Sequence, residues 1–369
     1  MRLLIQPGDS IGPLLKGIER AKKSIEIVIF RFDRVEIARA LENAVKRGVF
    51  VHALIAYTNR GGEKNLRKLE MRFLAGGITV ARTSDDLVRY HGKMIIVDRK
   101  ELYLLAFNLT HLDIEHSRSF GIVTRNRQLV QEAAKLFERD TKRQNYVPGS
   151  AKFLVSPLNA RKELTRFIRG AKKELLIYDL KITDRAMTRL LEERAEAGVQ
   201  VRIIGKLTRK TTRLAVRKLS SMRLHTRVII RDRRQMFLGS QSLRELELDA
   251  RREIGIIVPD RKVIGSVIKV FEEDWNSTPA SKKEVSDEQP HATVSRTAKR
   301  VAKAVAKELP PVGPVVDRAI KEVTREDSDV DVDEKEVEEA VKDAVKDAVR
   351  ETIKGVITDV SDQKEPRGK

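Results

Sequence analysis

Two stretches decide how this chain is read: "HGKMIIVD" (residues 91–98) and "HTRVIIRD" (residues 225–232). Each has a histidine, a basic residue two places on, a mostly apolar run and an aspartate. The second follows the first by 134 residues. Other pieces repeat around them. "AKKSIEIVIFRFDRVEIARALENAVKRGVFVHALI" (21–55) aligns with "AKKELLIYDLKITDRAMTRLLEERAEAGVQVRIIG" (171–205), with Gly48 and Gly198 at an offset of 150. Further on the offset is 134: Gly121 aligns with Gly255, and "FERD" at Phe137 with "FEED" at Phe271. The body is therefore an internal duplication whose second copy has a shorter middle.

Each copy reads strand, helix, strand. Residues 25–30 and 51–56 are rich in β-branched side chains, as strands are. Between them Ile37, Leu41 and Val45 recur every four residues, which predicts a helix, and Gly48 suits its C-terminal cap. The second copy repeats this at 175–178, 187–197 and 199–204. The expected fold class is α/β: two pseudo-symmetric lobes, each a β-sheet flanked by helices, with a shared site at their interface. The lobes are expected at 1–150 and 151–275, followed by a charged tail at 276–369.

The net charge is +20, but the tail holds 18 basic and 21 acidic residues, so the body carries +23. A body that basic predicts a polyanionic partner, either an anionic phospholipid or membrane surface, or nucleic acid. There is no cysteine, which excludes disulfides and thiolate metal sites. No apolar run approaches the ~18–20 residues of a membrane span. The opening "MRLLIQPGDS" turns polar too soon for a secretion signal. The expected location is cytoplasmic, at most peripheral on a membrane. The tail has no aromatic residue and a single leucine, Leu309, so it cannot build a core of its own. Its stretches "VSRTAKRVAKAVAKEL" and "EVEEAVKDAVKDAVRETIKGVI" have amphipathic spacing. The tail is expected to be disordered or transiently helical, with a basic segment for DNA or membrane and a second that contacts a partner helix.

In a strand, residues i and i+2 share a face, so His91 and Lys93 are expected to project together, as are His225 and Arg227. Two histidines, each beside a fixed cation, suit phosphoryl chemistry. One imidazole attacks phosphorus; the other protonates the leaving oxygen and then activates water or an alcohol. The cations hold the non-bridging oxygens. No cofactor and no metal is expected. His111 and His116 in "HLDIEH" lie five apart, in what reads as a loop, and do not match a helical metal pair. Arg60 in "YTNRGGEKN" is a weaker candidate for the phosphate pocket.

The pattern His-x-Lys-x4-Asp, followed by Gly-Ser-x-Asn, resembles the phospholipase D superfamily, which includes phospholipases D, cardiolipin synthases and phosphodiesterase nucleases. The resemblance covers residues 1–275. It implies one active site between two α/β lobes and a covalent phosphohistidine. In the first copy His91, Lys93 and Asp98 match. "LAFN" puts Leu105 and Ala106 where the family has glycine and serine but keeps Asn108, and Ser119 stands where the family often has an acid. In the second copy His225 and Asp232 match and Arg227 replaces lysine. "GSQS" keeps Gly239 and Ser240, with Ser242 for asparagine, and Glu253 keeps the acid 28 positions after His225. The losses are complementary, so a full set is still expected. His91 is the expected nucleophile and His225 the acid. Lys93 and Arg227 are the expected clamps, and Asn108, Ser240 and Ser242 the expected substrate contacts. Glu253 is expected to orient His225, its neighbour in spacing. Asp98 and Asp232 are expected to tie strand ends. The resemblance implies a phosphodiesterase or transphosphatidylase acting on a phospholipid such as phosphatidylglycerol. The alternatives are a metal-independent nuclease or a catalytically decayed binding scaffold.

Overall fold

The computed structural model describes residues 1–57, 63–83, 88–208 and 211–277. Arg60 and the tail from 278 onward lie outside the described residues.

Each half is built around a central strand. In the first, Ser24–Ile29 runs parallel to Phe50–Ile55 and antiparallel to Met94–Val97. In the second, Glu174–Ile182 runs parallel to Gln200–Leu207 and antiparallel to Arg227–Arg231. The predicted helices are present at Val35–Lys46 and Arg185–Glu196. Gly48 and Gly198 follow them with φ of 83° and 85°, a left-handed conformation that glycine adopts without a Cβ penalty.

The strands read as unbroken apolar runs because both faces of each sheet are covered. Along Met94–Val97, Met94 and Ile96 enter one core while Ile95 and Val97 enter another. Val228 and Ile230 alternate with Ile229 in the same way. Three cores result. An outer core in each half packs the sheet against helices, Gly12–Glu19 and Val35–Lys46 in the first and Ala160–Arg169 and Arg185–Glu196 in the second. The third is shared. It joins the inner faces of both sheets and takes Phe137 from the helix Arg127–Thr141 and Phe271 from Arg261–Ser277. The two halves are thus fused by apolar burial, which sets the geometry of anything built at their seam.

Two short exchanges cross that seam. Arg223–Leu224, from the second half, pairs in parallel with the strand Ser117–Thr124 of the first. Arg251–Arg252 pairs in parallel with Arg89–Tyr90. Each exchange is anchored by an ion pair to a buried carboxylate. Arg118 meets Asp274 at 2.7 Å, and Tyr178 donates to the same carboxylate at 2.6 Å. Arg252 meets Asp140 at 3.2 Å, and Tyr90 donates to it at 2.8 Å. Arg118 and Arg252 are duplication mates, as are Asp140 and Asp274, so the strap is the same device used twice. Among the described residues, no helix is long and apolar enough to cross a membrane.

Candidate active site

His91 and Lys93 do not lie within a strand. They occupy the extended segment just before Met94–Val97, and His225 sits just before Arg227–Arg231. The exchanges place them. His91 N donates to Arg252 O at 2.7 Å, and His225 N donates to Arg118 O at 3.0 Å. Each histidine is therefore held by the strap of the other half. Both are buried, as are Lys93 and Arg227.

Glu253 follows Arg252 on its strap and so arrives at the opposite lobe. Its Oε2 lies 2.8 Å from His91 Nδ1. This corrects the expectation that Glu253 serves His225. Sequence spacing is counted along one copy, but the strap delivers the acid across the seam. The mate of Glu253, Ser119, is two carbons shorter. Its hydroxyl donates to the His225 backbone carbonyl at 2.9 Å and does not reach the ring.

The ring of His225 faces Asp113. Nδ1 lies 3.2 Å from Asp113 Oδ2, although the angle falls outside good hydrogen-bond geometry. Asp113 sits on the short helix His111–Glu115, which Thr110 caps by accepting from Asp113 N. The stretch 111–116 is thus not the expected loop. The Thr-x-x-Asp spacing was the signal available, a helix N-terminus of capping-box type. Glu247, 134 positions on, occupies the same place on the helix Glu245–Asp249. Its Oε2 lies 3.8 Å from Arg227 Nη2. Neither acid stood out in the sequence, since each reads as an ordinary helix carboxylate.

The expected polar contacts are engaged within the protein. Asn108 donates to Asp113 Oδ2 through its backbone N at 2.8 Å and through Nδ2 at 2.7 Å. Ser242 accepts from Arg227 Nε at 3.1 Å and donates its backbone N to Glu247 at 2.8 Å. Ser240 Oγ accepts from Ile254 N at 3.0 Å, fixing the strand end next to Glu253. These three hold the charged groups in place. Arg227 Nη1, like Asn108 Oδ1, is buried and has no hydrogen-bond partner among the described residues.

Asp98 and Asp232 lie away from this chemistry. Asp98 accepts from the backbone N–H groups of Lys22, Lys23 and Ser24 at 2.7–3.1 Å, and Asp232 from those of Lys172, Lys173 and Glu174 over the same distances. Burial pushes both carboxyls up, but these donors outweigh it and hold each below the ordinary carboxylate range. The carboxylates tie the start of each central strand. Leu105, in the family's glycine position, fits because Gly121 lies opposite it across the ladder. In the second half Gly239 faces Gly255, where a Cβ at 239 would come within 2.7 Å of the Gly255 Cα.

Electrostatically the site is a buried cluster of cations, imidazoles and carboxylates. Burial, then Lys93 and Arg227, pushes His91 well below the ordinary imidazole range. Burial, then Arg227 and Lys93, does the same to His225. With Glu253 of the second copy at 2.8 Å from His91 of the first, the two motifs lie together. Burial pushes Lys93 down to about 7, opposed by Glu253. Its Nζ lies 2.8 Å from His91 Nε2, and the Phe30 ring packs edge-on against His91 at 4.7 Å. Burial raises Glu253, against the pull of Lys93 and Arg227. Among the described residues, no group of three or more His, Asp and Glu side chains is arranged to hold a metal ion.

Two α/β lobes that share a core, exchange a strap and join a doubled His-x-cation motif define a phospholipase D-like fold. The family described as cardiolipin synthase, PLD-like domain, matches residues 14–141 and 164–275, and the chain belongs to it. The mitochondrial cardiolipin hydrolase of Danio rerio is 31% identical over 137 residues, 35% of this chain and 57% of that protein. Its Mus musculus counterpart is 30% identical over 135 residues, 36% of this chain and 58% of that protein. The chain therefore spans less than two thirds of these relatives. Among solved structures, the polyphosphate kinase of Porphyromonas gingivalis superposes with a TM-score of 0.65 at 20% identity, over 81% of this chain and 52% of that one. The phosphatidylserine synthase of Haemophilus influenzae Rd KW20 superposes with a TM-score of 0.60 at 12% identity, over 82% and 93%. At such identities the likeness is one of fold.

Proposed function

We propose that this protein is a phospholipase D-type phosphodiesterase or transphosphatidylase acting on an anionic phospholipid through a phosphohistidine on His91. The observation that carries the reading is a buried site where two depressed imidazoles meet two cations, one of which, Arg227, keeps a buried N–H without a hydrogen-bond partner among the described residues. A phosphodiester anion satisfies that donor and gives Lys93 and Arg227 a shared anionic partner.

His91 is neutral at pH 7 and holds a lone pair for attack. Glu253 accepts from Nδ1–H and leaves Nε2 as the nucleophile; it also stabilises the positive charge that grows on the ring as the P–N bond forms. Lys93, which lies at Nε2 of His91, turns to a non-bridging oxygen of the substrate opposite Arg227. The negative phosphate raises His225, which then carries a proton and gives it to the leaving oxygen as the P–O bond breaks. In the second half His225 takes a proton from water or an alcohol, the new oxygen bonds to phosphorus, and the P–N bond returns its electron pair to His91.

The substrate reading is supported by membership in the cardiolipin synthase-like family and by the names of the cardiolipin hydrolase relatives. The +23 body supplies attraction to an anionic surface, where the protein acts as a peripheral enzyme. Purified full-length chain, with EDTA present, is tested on phosphatidylglycerol and cardiolipin vesicles and on plasmid DNA. Lipid turnover is expected to persist in chelator. Cleavage of DNA with intact lipid identifies a nuclease, inertness toward both identifies a binding scaffold, and activity that needs an added divalent ion overturns the phosphohistidine scheme.

A further inference from the structure

We infer that Asp113 is the positioning carboxylate of His225, replacing the acid that the first lobe lacks at Ser119; the inference rests on the proposed acid role of His225. The two halves supply one carboxylate to each imidazole, but from different places. Glu253 crosses on its strap to His91 Nδ1. The equivalent strap of the first half ends in a serine that stops at the His225 carbonyl. His225 Nδ1 then has no good hydrogen bond among the described residues, and the carboxylate it faces is Asp113 at 3.2 Å.

Asp113 is built for a fixed position. It is buried, and its Oδ2 accepts from Asn108 N and Nδ2 while its Oδ1 accepts from Arg223 Nη1 at 2.5 Å. Arg223 also donates to Ser117, so the carboxylate is pinned from its own lobe and from the strap of the other. The mate position shows why the two acids diverge. Glu247 faces a guanidinium, with Arg227 at 3.8 Å and Arg244 and Arg251 each at 3.5 Å. In the first half the cation is a lysine, and its ammonium turns to His91 Nε2 instead. Asp113 is thereby left to the second imidazole. The lysine–arginine difference between the motifs and the missing acid at Ser119 are two sides of one rearrangement. An Nδ1–H pointed at Asp113 leaves Nε2 to carry the proton that passes to the leaving oxygen. Apo catalytic hydrogen bonds are often long and tighten in the complex.

The test is the tautomer of His225 in ¹⁵N-histidine-labelled full-length protein without substrate. The chain has six histidines, and His225→Gln and His91→Gln assign the two signals. At pH 7.5 the expected His225 is neutral with its proton on Nδ1. Asp113→Asn is expected to move that proton largely to Nε2 and leave His91 unchanged, while Glu253→Gln does the reverse. A wild-type His225 protonated on Nε2, or a His225 signal that Asp113→Asn leaves in place, overturns the inference. The wild-type spectrum decides alone if the variant does not fold. The expected spectra in a protein inert toward lipid and DNA would sink the proposed function and leave the positioning of His225 standing.

Discussion

Glu253, from the second lobe, holds Nδ1 of His91, from the first, at 2.8 Å, and the strap that carries it is pinned one residue earlier by Arg252. Neither half can therefore complete its own histidine. Replacing Glu253 with glutamine keeps the size and removes the charge, so the ring loses both its preferred tautomer and the partner of its developing cation. Turnover is expected to fall about 10²- to 10⁴-fold, with less effect on KM. Single-turnover kinetics on a lipid substrate measure this. Near-wild-type chemistry in Glu253→Gln would remove His91 as the nucleophile.

The straps also bear on stability. Removing Arg252 takes from the buried Asp140 carboxylate the guanidinium that it pairs with beside the Tyr90 hydroxyl. Breaking a buried pair from one side costs about 3–5 kcal/mol. Arg252→Ala is expected to lower the unfolding free energy measured in urea by that order, and Arg118→Ala to do the same through Asp274. If the double variant loses no more than either single variant, the two straps open as one cooperative unit. Full additivity would make them independent clasps.

The duplication, both central strands, their helices and the paired motifs were legible in the sequence because each leaves a periodic or repeated trace. The partner of Glu253 was not. A count of residues from His225 points to the same lobe, and the crossing becomes visible only when Arg251–Arg252 lies beside Arg89–Tyr90. Asp113 and Glu247 were hidden for another reason. A single acid on a five-residue helix has no pattern of its own, and its importance comes from the burial that a remote strap imposes. Asn108, Ser240 and Ser242 were noticed as substrate contacts, yet they hold the charged residues, a role that residue type alone does not distinguish.

The depressed pKa of Lys93 has two consequences of definite sign. A clamp must be charged, so kcat/KM is expected to fall as pH rises through about 7, and to fall again on the acid side only well below the ordinary imidazole range, where His91 protonates. For stability, the unfolded chain keeps an ordinary lysine and binds more protons than the folded one between about pH 7 and 10. Folding is therefore penalised at and below neutrality, and the penalty is relieved as pH rises. From pH 7 to 9 the gain is about 2 kcal/mol. It is read as the difference in urea stability between wild type and Lys93→Met, in which titrations away from the site cancel. A difference that does not change with pH would show that Lys93 keeps an ordinary pKa.

The second motif's arginine is the harder test of the site. Arg227 is fixed by Ser242 at Nε and steadied by Glu247, with Nη1 free to meet the substrate. If it clamps phosphate as Lys93 does, Arg227→Ala and Lys93→Ala each remove a contact that strengthens as the phosphorane forms. Each is expected to cost about 3–4 kcal/mol, or about 10²- to 10³-fold in turnover. Arg227→Lys keeps the charge but loses the fork and the Ser242 bond, so it is expected to fall between wild type and alanine. Ser242→Ala leaves Nε unpaired and is expected to cost about 10- to 100-fold, a hydrogen bond to a charged group being worth about 1.5–3 kcal/mol. Wild-type rates in Arg227→Ala, beside an inactive Lys93→Ala, would make the second motif a structural lobe whose histidine is present but whose cation does no work.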